Sequence, residues 1–224
     1  MSGLINTSPV QKDALSNLKK DLESLPTLNQ STHADVDDDD DSKSTSSEAS
    51  GTLETDYGSA KYWNERYSRY SPFDWLMEYS TFKKQDLTSF IQTSDSILML
   101  GCGSARFSGD MYDDGYHNID NIDLSEVVID QMKTLNEERH KMTWEVMDVT
   151  NLMYSNDIYD VVIDKSTLDC IFCCDNSAHL ISEMILESWR VLKPGGIFIS
   201  LSLHTLDKVM PYINSDENGF DIDW

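Results

Sequence analysis

From Tyr57 onward the chain alternates short, β-rich apolar runs with helical segments, and this alternation constrains the fold more than any other feature. The runs fall at 96–100, 118–123, 143–147, 159–163 and 196–201, and apolar residues at helical spacing occupy roughly 105–112, 125–139 and 176–192 between them. A strand, a helix and a further strand close as a right-handed crossover, which sets the strands parallel and lays the helix on one face of the sheet. Such sheets are covered on both faces, so their strands read as near-continuous apolar stretches, as "ILML" and "VVI" do here. The pattern predicts a doubly wound α/β domain with a mostly parallel sheet over residues 57–224.

Residues 1–56 read as an N-terminal extension. Ser8-Pro9 has the form of a helix N-cap followed by proline, and Ala14, Leu15, Leu18, Leu22 and Leu25 then recur at helical spacing up to Pro26. A short amphipathic helix is expected, its apolar stripe either packed on the main domain or open to a partner. The stretch "STHADVDDDDDSKSTSSEASG" has almost no apolar side chains, so it cannot bury enough surface to offset its ordering entropy and is expected as an acidic, disordered linker.

The 17 basic and 40 acidic residues give a formal net charge of −23. Twelve of those acids and four of the bases lie in residues 1–56, so the excess of acid continues through the main domain. A phosphate backbone is repelled by such a surface, and no nucleic-acid partner is expected; basic partners suit it better. No apolar run approaches the roughly 18 residues of a membrane span, so no membrane partner is expected. Neither a basic start with an apolar core nor an Arg-rich transit pattern is present, and a cytoplasmic location is expected. Of the four cysteines, Cys170, Cys173 and Cys174 lie too close together for a disulfide framework, and no second cysteine pair or spaced histidine pair completes a metal site. They read, with Cys102, as thiols, the cluster being an apolar extension of the strand before it; no metal is expected.

In a doubly wound sheet the ligand lies outside the carboxyl ends of the strands, where the strand order reverses. The residues just after each strand therefore carry the chemistry. After the first comes "LMLGCGSARFSGD", where Gly101 and Gly103 permit a tight turn with positive φ and leave the main chain open to a ligand. Asp123 ends the second strand about 20 residues after the glycines, where a carboxylate accepts both hydroxyl protons of a ribose. Asp148 ends the third, in "WEVMDVTNL", where it can take the exocyclic amine of an adenine between Met147 and Val149. A dinucleotide fingerprint wants a glycine at position 106, which is Arg106 here. S-adenosylmethionine, an adenosine with an amino-acid tail and no phosphate, needs only the turn, the two carboxylates and a contact for its sulfonium end, and fits better.

The strings "YGSAKYWNERY", "FDWLMEYSTF", "ILMLGCGSARFS", "NIDNIDLSEVVI", "MTWEVMDVTNL", "YDVVIDKSTLDCI" and "RVLKPGGIFISLS" resemble, in order and in spacing, the Rossmann-like class I (seven-strand) S-adenosylmethionine-dependent methyltransferases of the methyltransferase-like group, and among them the elongation factor 1A lysine methyltransferases. The resemblance implies that Trp63, Tyr67 and Trp75 wall the cofactor pocket, that Gly101 lies against the methionine moiety, and that Asp123 and Leu124 hold the ribose. It further implies that Asp148 and Val149 hold the adenine and that Lys165 lies beside the cofactor after the fourth strand; since a cation gains nothing obvious beside a sulfonium, Lys165 is expected to pair with a carboxylate of the cofactor or of the protein. Aromatic faces attract a sulfonium cation, which agrees with the first of these. The function implied is protein-lysine N-methylation of an elongation factor 1A-like substrate. No catalytic residue stands out, since burial alone favours the neutral amine a lysine acceptor must present; Asp164, Ser166, Thr167 and Asp169 are candidates for the acceptor side.

The family continues past its fifth strand through a helix and an antiparallel edge hairpin. Only "LHTLDKVMPYINSDENGFDIDW" follows here, with room for a short helix and one strand at 220–224, so the hairpin is expected to be missing or incomplete. That departure keeps two other readings open: a non-catalytic adaptor with the methyltransferase fold, and a small-molecule methyltransferase.

Overall fold

The computed structural model describes residues 56–213. The amphipathic helix and acidic linker expected in the N-terminal extension, and the strand expected at 220–224, lie outside the described residues. The described part opens with α1 (Ala60–Arg69), α2 (Tyr79–Lys84) and a 3₁₀ turn (Leu87–Phe90). Then follow β1 (Ile97–Leu100), α3 (Phe107–Asp113), β2 (Ile119–Asp123), α4 (Glu126–Leu135), β3 (Thr143–Val146) and β4 (Tyr159–Lys165). The last elements are α5 (Thr167–Phe172), α6 (Ser177–Val191), β5 (Leu192–Leu201) and α7 (Leu206–Ile213).

The five strands form one sheet in the order β3-β2-β1-β4-β5, every neighbouring pair parallel. The chain winds one way from β1 to β3 and the other way from β4 to β5, so the order reverses between the adjacent strands β1 and β4. All four residues of β1 are buried, as the central position requires, and each such aliphatic side chain contributes about 1.5–3 kcal/mol by leaving water. Ile97 pairs with Ile119 on one side and with Val161 on the other, which aligns the carboxyl ends of β1, β2 and β4. Ser125 starts α4 as a true N-cap, its side chain accepting from Val128 N. No helix among the described residues is long and apolar enough to cross a membrane.

Two expectations are corrected. The cysteine cluster does not extend β4: Ser166 takes a left-handed conformation at φ 70°, and the chain turns there into α5, which carries Cys170, with Cys173 as its C-cap and Cys174 next. The strand expected at 196–201 begins earlier, at Leu192, and accommodates Gly195 at φ 83° with a register shift opposite Tyr159 and Val161.

Candidate functional site

Outside the carboxyl ends of β1 to β4 lies a cleft of about 900 Å³, open solvent at its mouth included. Its floor is the turn after β1. Gly101 and Gly103 have φ of 55° and 56°, the left-handed region that glycine enters without strain. The room left by Gly101 is nevertheless not empty: a Cβ there would overlap Thr167 Oγ1 and lie 2.9 Å from Thr167 Cγ2. Thr167 Oγ1 in turn donates to Leu100 O at 3.0 Å, so the first residue of α5 fastens the end of β1 across the switch point.

Asp123 stands at the end of β2, 6% exposed. Its Oδ2 accepts from Gly103 N at 2.9 Å and its Oδ1 from Ser125 N at 2.9 Å. Each oxygen has two lone pairs, so each keeps one for a ligand hydroxyl. Burial pushes the carboxyl up to about 6 against the pull of these backbone donors. Asp148 lies two residues beyond β3 and is exposed; its Oδ1 accepts from Thr150 N and Oγ1 at 2.9 and 2.8 Å, which holds the side chain in one rotamer beside buried Met147 and Val149.

The wall opposite is aromatic. Trp63 is pinned by its Nε1, which donates to Tyr57 O at 2.8 Å, and its ring stacks on Tyr67 at 5.6 Å between centroids. Tyr67 covers Gly103, whose Cβ would lie 3.1 Å from the phenol oxygen, and burial, followed by the Asp123 charge, pushes its hydroxyl far above the usual phenol range. Asn64 on α1 fixes this wall to the start of α4: its Oδ1 accepts from Ser125 Oγ at 2.6 Å and from Val127 N at 3.4 Å. Phe73 and Trp75 close the rim as an edge-to-face pair 5.4 Å apart, and the Arg66 guanidinium lies 5.3 Å from the Trp75 ring centroid.

All ten residues expected at the cofactor, Trp63, Tyr67, Trp75, Gly101, Gly103, Asp123, Leu124, Asp148, Val149 and Lys165, line this one cleft. Tyr57, Phe73, Cys102, Cys170, Cys174 and Leu180 line it too. Of these Phe73 was legible in the "FDW" string and Cys102 lies in the glycine turn itself, while Cys170, Cys174 and Leu180 reach the cleft only because α5 and the start of α6 fold across it. Burial pushes Cys170 up to about 12, which keeps it a neutral thiol. Among the described residues no three His, Cys, Asp or Glu side chains could hold a metal ion.

The acceptor-side candidates separate. Asp164 is fully buried and does not line the cleft: it accepts from Ser200 Oγ at 2.7 Å and from Thr167 N and Leu168 N, capping α5, and burial pushes it up to about 6. Thr167 is committed to Leu100, as above. Ser166 lines the cleft and donates to Asp169 Oδ2 at 2.9 Å, while Asp169 Oδ1 accepts from Ser202 Oγ and Leu203 N beyond β5.

Residues 98–200 match a family model described as a methyltransferase domain. The chain is 34% identical over 171 residues to the eEF1A lysine and N-terminal methyltransferase of Mus musculus, an alignment covering 72% of this chain and 24% of that protein. It is 30% identical over 157 residues to EEF1A lysine methyltransferase 4 of Mus musculus, covering 65% of this chain and 61% of the relative. It thus spans about a quarter of the length of the first of these and about three fifths of the second. A solved SAM-dependent methyltransferase from Methanosarcina mazei aligns over 57% of this chain and 61% of its own at 23% identity and a TM-score of 0.49. The chain thus carries, over residues 98–200, a stretch that matches a methyltransferase domain, built on the all-parallel β3-β2-β1-β4-β5 sheet whose carboxyl ends form the cleft.

Proposed function

We propose that the chain binds S-adenosylmethionine and transfers its methyl group to a lysine of an elongation factor 1A-like protein. The observation that carries the reading is the meeting of the glycine turn, Asp123 and Asp148 in one cleft walled by aromatic rings. Asp123 keeps a free lone pair on each oxygen for the two ribose hydroxyls, and Asp148 keeps Oδ2 for the adenine amine. When bound, S-adenosylmethionine supplies a methyl group made electrophilic by its sulfonium.

The residues of the chain orient and exclude water rather than perform covalent chemistry. Trp63, Tyr67 and Trp75 present ring faces to a cation, an attraction worth about 0.5–2 kcal/mol each. An amine drawn into this apolar mouth loses hydration, which favours its neutral, nucleophilic form. The acidic surface attracts a lysine-bearing segment, and the names of the relatives direct attention to elongation factor 1A. A cytosolic location suits that substrate and the four free thiols.

The test is incubation with methyl-labelled S-adenosylmethionine and lysate from cells lacking the gene. A labelled band at the size of elongation factor 1A, lost when its lysines are blocked, is expected. Label confined to low-mass material refutes the protein substrate, and no calorimetric heat with the cofactor refutes the enzyme reading.

A further inference from the structure

Between α1 and α2 the chain crosses the mouth of the cleft as an irregular strap, residues 71–76, that sends two aromatic rings, Phe73 and Trp75, into the cleft wall. It is neither helix nor strand; its local tie is Met77 N donating to Trp75 O at 2.7 Å across Leu76, which takes a left-handed φ of 63°. Its other attachments come from elsewhere. Phe73 N donates to Ser104 Oγ at 3.2 Å, which ties the strap to the glycine turn. Lys165, at the end of β4, donates from Nζ to Trp75 O at 2.9 Å and forms an ion pair with Asp74 Oδ1 at 3.4 Å.

This is an unusual place for an ammonium group. The Lys165 side chain is 6% exposed and lies 5.6 Å from the centroid of Phe107. Burial lowers its proton affinity, and Asp74 is the foremost group opposing that fall, ahead of Asp164 and Cys102. An isolated buried ammonium is costly, whereas one with a carboxylate and a carbonyl as partners is retained. Asp74 itself does not line the cleft.

We infer that Lys165 and Asp74 form a clasp that holds the strap, so that Lys165 acts on the cofactor pocket by positioning Trp75 and Phe73 and not by pairing with the cofactor's own carboxylate. Asp74 is on this view a positioning residue, and a ligand senses its loss only through the rings. The inference rests on the cofactor reading above but makes a separate claim about which carboxylate Lys165 serves.

Two nucleosides separate the possibilities. S-adenosylhomocysteine carries the amino-acid tail and its carboxylate; 5′-methylthioadenosine lacks both. Calorimetric affinities are measured for the whole chain and for Lys165→Met, Asp74→Asn and the double variant. A clasp loses affinity for both nucleosides by the same factor, roughly tenfold in Lys165→Met, and the ratio of the two affinities stays at its wild-type value. Asp74→Asn shifts both in the same direction, and the double variant is no weaker than Lys165→Met. Loss of S-adenosylhomocysteine affinity alone, with 5′-methylthioadenosine and Asp74→Asn unaffected, overturns the clasp and gives Lys165 to the cofactor carboxylate.

Amide hydrogen exchange of the ligand-free protein supplies an independent reading. Faster exchange across 73–77 in Lys165→Met, with the strands unchanged, is expected, and unchanged exchange there refutes the clasp. If the wild-type chain binds neither nucleoside, the cofactor reading fails while the exchange result still decides whether the strap is held. Lys165→Met leaves Asp74 without its partner but within reach of water, its side chain being 21% exposed, and the double variant removes both charges, so it carries the comparison if the single variant is destabilised.

Discussion

Replacing Gly101 by alanine tests why the turn after β1 needs glycine. Two costs add. A residue with a Cβ at φ 55° pays the left-handed penalty, about 1–2 kcal/mol. The new methyl also meets Thr167, whose Oγ1 occupies its place and whose Cγ2 lies 2.9 Å away. Thr167 must swing out, weakening its 3.0 Å bond to Leu100 O, a further loss of about 1–2 kcal/mol. The total, roughly 2–4 kcal/mol, corresponds to a fall in melting temperature of about 4–16 °C for a domain of this size. Urea denaturation of Gly101→Ala, Thr167→Ala and the double variant measures each contribution. In the Thr167→Ala background the overlap with Oγ1 and Cγ2 is gone, and the left-handed penalty remains with a tight 3.0 Å contact to the Cβ of residue 167, so the glycine substitution should cost about 1–2 kcal/mol less there than in the wild type. Strictly additive costs would refute the claim that Thr167 fills the space, and Gly101 would then be required for φ alone.

Asp123→Ala should abolish binding of S-adenosylhomocysteine by calorimetry while the far-ultraviolet dichroism stays native; retained affinity removes the ribose assignment. In the wild type the affinity should fall as pH drops through about 6, because the buried carboxyl must be ionised to accept two hydroxyl protons, and a flat profile between pH 5 and 7 contradicts this. Asp164 is likewise raised to about 6 by burial, so the folded state holds its proton more tightly than the unfolded chain; its stability contribution is full below the ordinary carboxyl range and lost as pH rises through about 6. Asp164→Asn should therefore lessen the pH dependence of urea stability over that interval, with Asp123 supplying a slope of the same sign, and an unaltered slope rules out Asp164 as a source. Asn64→Ala, which strips the acceptor from Ser125 Oγ and Val127 N, should cost about 1–2 kcal/mol and speed proteolysis within α1; unchanged cleavage there would mean that packing alone holds the helix.

The parts of the fold that were legible are those in which local pattern and burial agree. β1 and β4 are covered on both faces, so their apolar runs marked them, and the residues just beyond their ends followed from the topology. Helix α5 was hidden because "TLDCIF" is as apolar as a strand and the break that precedes it is made by Ser166, a residue with no general preference for a left-handed turn. The early start of β5 was hidden by Pro194 and its two glycines, which read as a turn before the strand and are absorbed by the register shift. In the cleft, carboxylates and glycines at strand ends announced themselves. The partner of Lys165 did not: Asp74 is 91 residues away in sequence, on a segment with no periodicity, and only the folded strap brings them together. Gly101 was legible as a residue but not for its full reason, since the side chain that fills its space arrives from beyond β4.

The stacking of Trp63 on Tyr67 and the seat of Trp75 at the opposite rim give the cleft an optical property of its own. Two indoles look into the space a nucleoside would occupy, whereas Trp144 lies buried in β3 away from it. Occupancy therefore changes the surroundings of two of the chain's five tryptophans, so the protein's native fluorescence can report filling of the cleft without any label.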